Sequence, residues 1–338
     1  MIKDEIYLLA NNFLSMAFST LEEKQFILEE HWHIDHLCYR TSTPENYLRL
    51  KNYFEKFSSL LIESEVNGRL ISTFKLPYPI IYKHWEIDLI EIPAPKKGKL
   101  TVDGFEHFEI VCDIPFDEIR TRYNIFQFKD NGLSKLLNQE LEVSFENFSL
   151  KFHHLSLESV INLEQNKLVQ SAIEETNLLK ILKPFNPLIA GTFPLKLDTN
   201  DSDLDILISS KDFDLVKKIA LESLSIYPQF KYSELIVNGE PSLNISFIYQ
   251  TLKVDVFVQK TPSIRQRGYL HFLIEERILK IAGDSLREKI KQLRNQGLKT
   301  EPAFSQAMQL KEDPFEELLL IQKKSNQNLK ELLLNRLK

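Results

Sequence analysis

The sequence predicts an α+β protein with two domains. Its 338 residues exceed what one typical domain needs. Before residue 160, a strand, a helix and further strands follow one another, and the same order then starts again. After residue 160, a mixed set of strands leads into a helical region. We therefore predict one domain over residues 1–160 and a second over residues 161–338.

The first domain is predicted to contain two copies of a βαβββ unit, the second of them shortened. Apolar residues at helical spacing predict a helix over residues 1–30, ahead of the first copy. Pro44 begins the helix of the first copy, and Asn67-Gly68 predicts a turn between two of its strands. The first copy comprises a strand at 34–41, the helix from residue 44, and strands at 60–66, 69–76 and 84–92. The second comprises a strand at 105–112, a helix at 115–123, and strands at 141–145 and 149–154.

The second domain is predicted to follow one long amphipathic helix over residues 157–182. After this helix, the sequence predicts a mixed sheet and then helices only. The strands are expected at 187–190, 203–209, 230–237, 243–249 and 252–258, with a helix at 211–225. The last helix is expected at 316–338, where its leucines indicate packing.

Composition narrows the class of protein. The chain is 43% hydrophobic and 27% charged, which is ordinary for a folded globular protein. No apolar run reaches the ~18 residues of a membrane helix, so we expect no membrane association. Two cysteines, Cys38 and Cys112, are too few for a disulfide framework, and the acidic N-terminus lacks a signal-peptide pattern. We expect a cytoplasmic protein.

Charge differs between the two predicted domains. Residues 1–160 hold 17 Lys and Arg against 25 Asp and Glu, whereas residues 161–338 hold 25 against 23. Broad non-specific nucleic-acid binding usually needs a basic face, so neither domain is expected to show it. A small nucleotide or a single RNA end stays open as a partner.

Three aspartates and a glycine turn predict a phosphate-transfer site in the second domain. Strand alternation places Asp203 and Asp205 on one face. Asp255 is an isolated charge in an apolar strand, which costs free energy unless it is paired or metal-bound. Hard divalent ions prefer oxygen ligands, so these acids are candidate catalytic ligands for two Mg²⁺ ions. Gly191 and Thr192 offer a phosphate close backbone approach, a hydroxyl and an N–H group.

Three more residues are candidate contacts to a nucleoside triphosphate. Ser202 precedes the aspartate doublet, and Arg265 and Arg267 follow the third acid. The alternative interpretation is an ordinary polar helix start for the arginines, with two surface acids and one aspartate buried by chance.

The order of turn, acid doublet and later strand acid resembles the polymerase-β-type nucleotidyltransferase superfamily. Thr192 stands where that superfamily usually has serine, and ten residues separate it from Asp203. Residues 165–330 further resemble a bacterial family of this superfamily that has no assigned substrate. The resemblance implies a minimal nucleotidyltransferase fold and Mg²⁺-dependent transfer from an NTP. Catalytically inactive members of the superfamily act as regulators.

Two histidines begin the two βαβββ copies. Asp35-His36-Leu37 and Glu106-His107-Phe108 share an acid–histidine–apolar order at these starts. If a pseudo-twofold axis relates the copies, the two histidines occupy equivalent places. Two imidazoles with one or two carboxylates suit Zn²⁺, Ni²⁺, Mn²⁺ or Fe²⁺. The alternative is that each histidine is an ordinary residue of its strand.

This arrangement resembles the vicinal-oxygen-chelate superfamily, and residues 1–160 resemble its YecM family. The resemblance implies a βαβββ barrel with metal ligands at His36, Asp88 and His107. The last strand of the second copy has no acid where the fourth ligand is expected, and His153 or Glu109 are the substitutes.

Three functional hypotheses stand on these residues. The first is a Mg²⁺-dependent nucleotidyltransferase that acts on an unknown small-molecule, protein or RNA-end acceptor, with an N-terminal domain that binds a metal or ligand. The second is a non-catalytic metal- or ligand-binding regulatory protein. The third is metal-dependent lyase, isomerase or dioxygenase chemistry in the N-terminal barrel.

Overall fold

The computed structural model describes residues 3–98 and 100–336 and confirms the α+β class. The chain divides into two compact units. The first extends to Leu157 without residues 113–115 and 136–138, which group with the second unit that begins at Glu158. The division into domains at residue 160 stays a prediction. Within the described ranges, no helix combines the length and apolarity needed to cross a membrane.

The first unit contains two βαβββ repeats in one sheet, as predicted. The structure adds a two-residue strand, β6, which is too short to show a periodic pattern. Helix α1 (Lys3–Glu23) precedes the repeats. The first repeat consists of β1 (His33–Arg40), α2 (Pro44–Phe54), β2 (Ser59–Val66), β3 (Arg69–Tyr82) and β4 (Trp85–Pro93). The second consists of β5 (Gly104–Val111), α3 (Phe116–Arg122), β6 (Phe128–Lys129), β7 (Glu140–Ser144) and β8 (Ser149–His153).

The order of the eight strands places the first strands of both repeats side by side. The order is β2-β3-β4-β1-β5-β8-β7-β6. β1 and β5 are antiparallel with Leu37 opposite Phe108, and each is parallel to the last strand of its own repeat. His36 directly precedes Leu37 on β1, just as His107 directly precedes Phe108 on β5. The two histidines therefore occupy equivalent places about the pseudo-twofold axis, as predicted.

Local signals set the ends of several elements in the first unit. The Thr43 side chain accepts the N–H of Asn46 and so caps α2, which begins at Pro44. Asn67 and Gly68 have φ angles of 53° and 74°, as a two-residue hairpin turn requires between β2 and β3. Residues 1 and 2 of the predicted helix at 1–30 lie outside the described residues, and the helix ends at Glu23 rather than at residue 30. The predicted strand at 69–76 extends to Tyr82.

The second unit contains a five-stranded mixed sheet and the remaining helices. The strands are β9 (Leu188–Ala190), β10 (Leu204–Ser209), β11 (Lys231–Val237), β12 (Glu240–Tyr249) and β13 (Leu252–Gln259), in the order β11-β12-β13-β10-β9. β10 and β13 are parallel neighbours, and the other pairs are antiparallel. Helix α7 (Phe213–Leu224) connects β10 to β11.

Two helices predicted as continuous are divided in the structure. The stretch at 157–182 forms α4 (Leu157–Gln165), α5 (Lys167–Glu175) and α6 (Leu178–Leu182). Asn166 caps α5, and Asn177 has a positive φ of 54°, which ends a helix. The C-terminal helices are α8 (Arg267–Ala282), α9 (Asp284–Asn295), α10 (Thr300–Met308), α11 (Pro314–Gln322) and α12 (Asn326–Arg336). The predicted last helix at 316–338 thus corresponds to α11 and α12, and its residues 337 and 338 lie outside the described residues.

Candidate metal and nucleotide sites

The three aspartates predicted for the second unit lie together. In the parallel ladder of β10 and β13, Asp205 is directly opposite Asp255, so both side chains leave the same face of the sheet. Asp203 directly precedes β10, two residues before Asp205. One carboxylate oxygen from each aspartate lies within 4.8 Å of the others. Such a set of oxygen donors suits a hard divalent cation.

Gly191 lies directly against this group of acids. Ala190 on β9 is opposite Asp205, and the chain then turns at Gly191 with a φ of 76°. A Cβ atom at Gly191 would overlap Oδ2 of Asp205. Both the backbone conformation and the available space therefore require glycine here.

Thr192 and Ser202 are buried and connect the turn to the aspartate strand. Thr192 Oγ1 donates to Ser202 Oγ at 3.2 Å, and the N–H of Thr199 donates to the same oxygen at 2.9 Å. Arg294 Nη2 also donates to it, at 3.2 Å. The Ser202 hydroxyl thus has partners within the protein, and a contact of Thr192 or Ser202 with a nucleotide stays a prediction.

Lys253 was missed by the sequence analysis and lies against two of the aspartates. Its Nζ is 2.9 Å from Asp203 Oδ2 and 2.5 Å from Asp255 Oδ2. The side chains of Lys253 and Asp203 are 46% and 34% exposed, so this ion pair faces solvent, whereas the Asp255 side chain is only 15% exposed. The signal was present in the sequence, because residues 253 and 255 alternate on one face of a strand.

The surroundings give the three aspartates different pKa values. Burial and the charges of Asp203 and Asp255 raise the pKa of Asp205 to about 8. Burial would also raise the pKa of Asp203, but hydrogen bonds from Lys253 hold it below its ordinary value. Burial raises the pKa of Asp255, whose buried Oδ1 accepts no hydrogen bond from the described residues. The pKa values of Asp205 and Asp255 are thus raised partly because neighbouring carboxylates repel their charged forms, and a divalent cation would relieve this repulsion.

Negative potential extends to two further acids. The charge of Glu301 contributes to the raised pKa of Asp205. Burial, together with Glu301, raises the pKa of Glu275 on α8 well above its ordinary value. Neither acid was predicted to belong to the site, because both lie on helices whose polar residues are typical of a solvent-exposed surface.

The two predicted arginines lie at the start of the C-terminal helices. Arg267 is the first residue of α8, and its Nη2 atom lies 2.5 Å from Oε1 of Glu316 on α11. Arg265 is exposed at the end of a short 3₁₀ turn. A contact of either arginine with a nucleotide stays a prediction.

In the first unit, three histidine rings surround one carboxylate. The strand register places His36 opposite Glu109, and β8 lies on the other side of β5. The Nε2 atoms of His36, His107 and His153 lie 3.5, 3.3 and 3.5 Å from Glu109 carboxylate oxygens. All four residues are buried. The structure thus brings together two of the predicted ligands, His36 and His107, and both substitutes, His153 and Glu109.

Each of these imidazoles is oriented through its other ring nitrogen. Among the described residues, no hydrogen bond reaches Nε2 of His36 or His107. Histidines that bind metals are commonly held in this way, with Nδ1 at an acceptor and Nε2 directed to the ion. The Nδ1 partners are Asp35 Oδ2 at 2.9 Å for His36, Glu106 Oε2 at 3.2 Å for His107, and the carbonyl oxygen of Leu155 for His153.

Asp88, predicted as a ligand, belongs to none of the candidate metal groups found among the described residues. On β4 it is Leu89 that pairs with His36, so the Asp88 side chain leaves the other face of the sheet. Glu91, two residues beyond Leu89, does form a candidate group with both histidines. A one-residue difference in strand position therefore moves the expected carboxylate from Asp88 to Glu91.

Lys151 stands in the place expected for the fourth ligand. The pseudo-twofold axis that relates β1 to β5 also relates β4 to β8, and Lys151 on β8 corresponds to Glu91 on β4. Its Nζ is 2.9 Å from Glu109 Oε1 and 3.5 Å from Glu140 Oε1, and its side chain is only 17% exposed. A lysine therefore occupies the position on the last strand of the second repeat where an acidic fourth ligand was expected.

Charge in this cluster favours the protonated forms of His36 and His107 when no metal is bound. Burial alone would lower the pKa of His107, but Cys38 and Glu106 raise it to about 10. Burial also opposes the charge of His36, but Glu109 raises its pKa well above the ordinary value. Burial would raise the pKa of Glu109, but Lys151 and His36 hold it well below. A metal ion must displace the imidazole protons, so its affinity is expected to rise with pH.

Sequence comparisons find relatives for each unit separately. Residues 4–133 match the family described as YecM protein, which confirms the resemblance proposed for the N-terminal half. Residues 171–321 match a domain of unknown function, DUF4269, in agreement with the predicted bacterial family without a substrate. Protein YecM of Escherichia coli (strain K12) is 32% identical over 150 residues, which cover 40% of this chain and 78% of that protein.

Two solved structures resemble parts of the chain. The structure described as Protein EC4020 is 26% identical with a TM-score of 0.40, and the match covers 47% of this chain and 92% of that one. Cid1 poly(U) polymerase bound to MgATP is 14% identical with a TM-score of 0.31, and the match covers 47% of this chain and 49% of that one.

Proposed function

The chain belongs to the YecM family through its N-terminal domain, and we propose that its C-terminal domain is a Mg²⁺-dependent nucleotidyltransferase. In this reaction an acceptor hydroxyl or phosphate oxygen forms a bond to the α-phosphorus of an NTP, the bond from that phosphorus to the β-phosphate oxygen breaks, and pyrophosphate leaves. The proposal rests on one observation above all: the convergence of Asp203, Asp205 and Asp255 beside the Gly191 turn.

The donor set fits hard divalent cations. Every donor is a carboxylate oxygen, and Oδ1 of Asp255 is buried without a hydrogen bond from the described residues. Asp203 and Asp205 would hold two ions, and Asp255 the ion on the side of the acceptor. Bound there, such ions would activate the attacking hydroxyl and stabilise the phosphates and the leaving oxygen.

The protein's own residues contribute position and charge. The ladder of β10 and β13 holds Asp205 and Asp255 in register, so their carboxylates need little rearrangement to act together. The Gly191 turn leaves the backbone accessible to a phosphate. Asp205, with a pKa of about 8, gives up its proton to water before it can bind a cation.

Transfer of label from an NTP tests this function. Each of the four NTPs, labelled at the α-phosphate, is incubated with Mg²⁺ or Mn²⁺ and with cell extract as the source of acceptors. Because the acids hold the ions, Asp203→Asn and Asp205→Asn should lower the rate about 100-fold or more. Asp201→Asn changes an exposed acid nearby and should leave the rate unchanged. Equal rates in wild type and Asp205→Asn would overturn the proposal.

A second function, metal binding by the N-terminal domain, is favoured by the histidine cluster. We propose that His36, His107 and Glu109 or Glu91, with His153 as a further ligand, hold Zn²⁺, Ni²⁺, Mn²⁺ or Fe²⁺. With a lysine in the fourth ligand place, this domain acts in ligand binding or regulation rather than in lyase, isomerase or dioxygenase chemistry.

Elemental analysis of the full-length protein tests this site. Wild type is expected to hold about one equivalent of a transition metal, and His36→Ala with His107→Ala should lose it. Asp88→Asn is the matched control and should keep the metal, because Asp88 lies on the other face of β4. A wild-type protein that takes up none of the four metals would contradict the proposal.

A further inference from the structure

Lys253 places a positive charge where a metal ion would be bound. Its ammonium contacts Asp203 Oδ2 and Asp255 Oδ2 at 2.9 and 2.5 Å. These two residues belong to the group whose ligand atoms lie within 4.8 Å of one another. An ammonium group and a divalent cation cannot use the same carboxylate oxygens, so the two compete.

The Lys253 side chain is able to leave this position. It is 46% exposed, and the Asp203 side chain is 34% exposed, so water screens their attraction. The lysine is the second residue of β13, and its long side chain can extend into solvent while its backbone stays in the sheet. A divalent cation carries twice the charge and can therefore replace the ammonium.

We propose that Lys253 is a positioning residue that occupies the acceptor-side metal place, between Asp203 and Asp255, until a nucleotide brings the ion. This inference rests on the proposed nucleotidyl transfer. Without nucleotide, Lys253 competes with free cations and keeps their affinity low. With nucleotide, the triphosphate supplies further ligands to the ion and negative charge for the released ammonium. Metal loading is thereby coupled to nucleotide binding.

Direct binding of Mn²⁺ to the full-length protein tests the inference without an activity assay. Free Mn²⁺ is followed by electron paramagnetic resonance during titration, with and without a non-hydrolysable NTP analogue. Mn²⁺ binding that wild type shows and Asp205→Asn lacks is assigned to this site. In Lys253→Gln, the Kd of that part without nucleotide should fall about fivefold or more. The analogue should reduce this difference. Lys260→Gln, at an exposed lysine directly after β13, should match wild type.

The outcomes separate this inference from the function on which it rests. Equal Kd values in wild type and Lys253→Gln, with binding still lost in Asp205→Asn, overturn the role of Lys253 and leave the transferase proposal standing. If no protein shows binding that is sensitive to Asp205→Asn, with or without the analogue, both proposals fail.

A charge-conserving variant guards against a loss of folding in Lys253→Gln. Lys253→Arg should bind Mn²⁺ as weakly as wild type, because it keeps the positive charge. An arginine variant with the tighter Kd expected for Lys253→Gln would overturn the inference. In EDTA, Lys253→Gln should also melt below wild type, since three acids then face one another, and Mn²⁺ should raise its Tm by more than that of wild type.

Discussion

Each unit of the protein holds a lysine against a group of acids, but the two lysines differ in their access to water. Lys151 lies 2.9 Å from Glu109 with a side chain 17% exposed, and Lys253 lies 2.9 Å from Asp203 with a side chain 46% exposed. Lys253 also lies 2.5 Å from Asp255, so close contact is common to both lysines, and their exposure to water is what differs. Water weakens the exposed pair, whereas burial makes the loss of one partner costly. Lys151 is therefore a fixed part of its fold, and Lys253 is free to exchange.

The largest expected effect tests this difference directly. Lys151→Met should lower the free energy of unfolding by about 3 kcal/mol, because it leaves the buried Glu109 without its closest cation. Lys253→Met should lower it by less than about 1 kcal/mol, because water takes the place of the lysine. Urea unfolding in EDTA measures both. Similar losses in the two variants would remove the distinction between the lysines.

A smaller effect concerns pH. Folded Asp205 keeps its proton up to a pKa of about 8, whereas an unfolded aspartate loses it near pH 4, so the folded state binds more protons between these values. Stability therefore falls as pH rises across this window, and Asp205→Asn should remove that fall. In EDTA, we expect this variant to be more stable than wild type at pH 8 and equal to it near pH 4.

The histidine cluster gives a second window in which stability falls as pH rises, and this window extends to higher pH. The pKa of His107 is raised to about 10, so its contribution to stability is complete below about pH 6.5 and is lost as pH rises through about 10. Unfolding measured from pH 4 to pH 10, with Asp201→Asn as the control, separates the two windows. A gain in Asp205→Asn that did not depend on pH would show that the aspartate is not protonated in the fold.

The smallest effect comes from the glycine turn. Gly191→Ala should destabilise the protein by about 1 kcal/mol more than Gly239→Ala, since both glycines have positive φ but only Gly191 faces a side chain. Gly239 has open space around its Cβ position and so isolates the backbone contribution. Thermal unfolding compares the two variants. Equal destabilisation would mean that the Asp205 carboxylate moves aside without cost.

The residues that could be predicted are those whose role depends on strand alternation and order along the chain. Asp203, Asp205 and Gly191 were predicted in this way to lie near one another, because a strand fixes the face of each side chain without knowledge of its neighbours. Asp88 lies on the face of β4 opposite to that of His36, because a single-residue difference in register exchanges the two faces of a strand. Lys151 and Lys253 were missed because a lysine that alternates with apolar residues usually marks a solvated face.

The breaks in the helices could not be predicted from periodicity. Asn166 and Asn177 fall inside a stretch with regular apolar spacing, and only the backbone shows that one caps a helix and the other has positive φ. The fold class and both repeats were predicted because they depend on long patterns, in which one irregular residue has little weight.

The position of β10 within its sheet has a consequence for the dynamics of the candidate site. β10 lies between β9 and β13, with Asp205 opposite Ala190 on one side and Asp255 on the other. Amide protons along this strand should exchange with solvent slowly, because the sheet must open to release them. We expect the carboxylates to keep their spacing during the brief local openings that free surface segments. The strand that carries the proposed cation ligands is thus expected to be among the last segments to unfold.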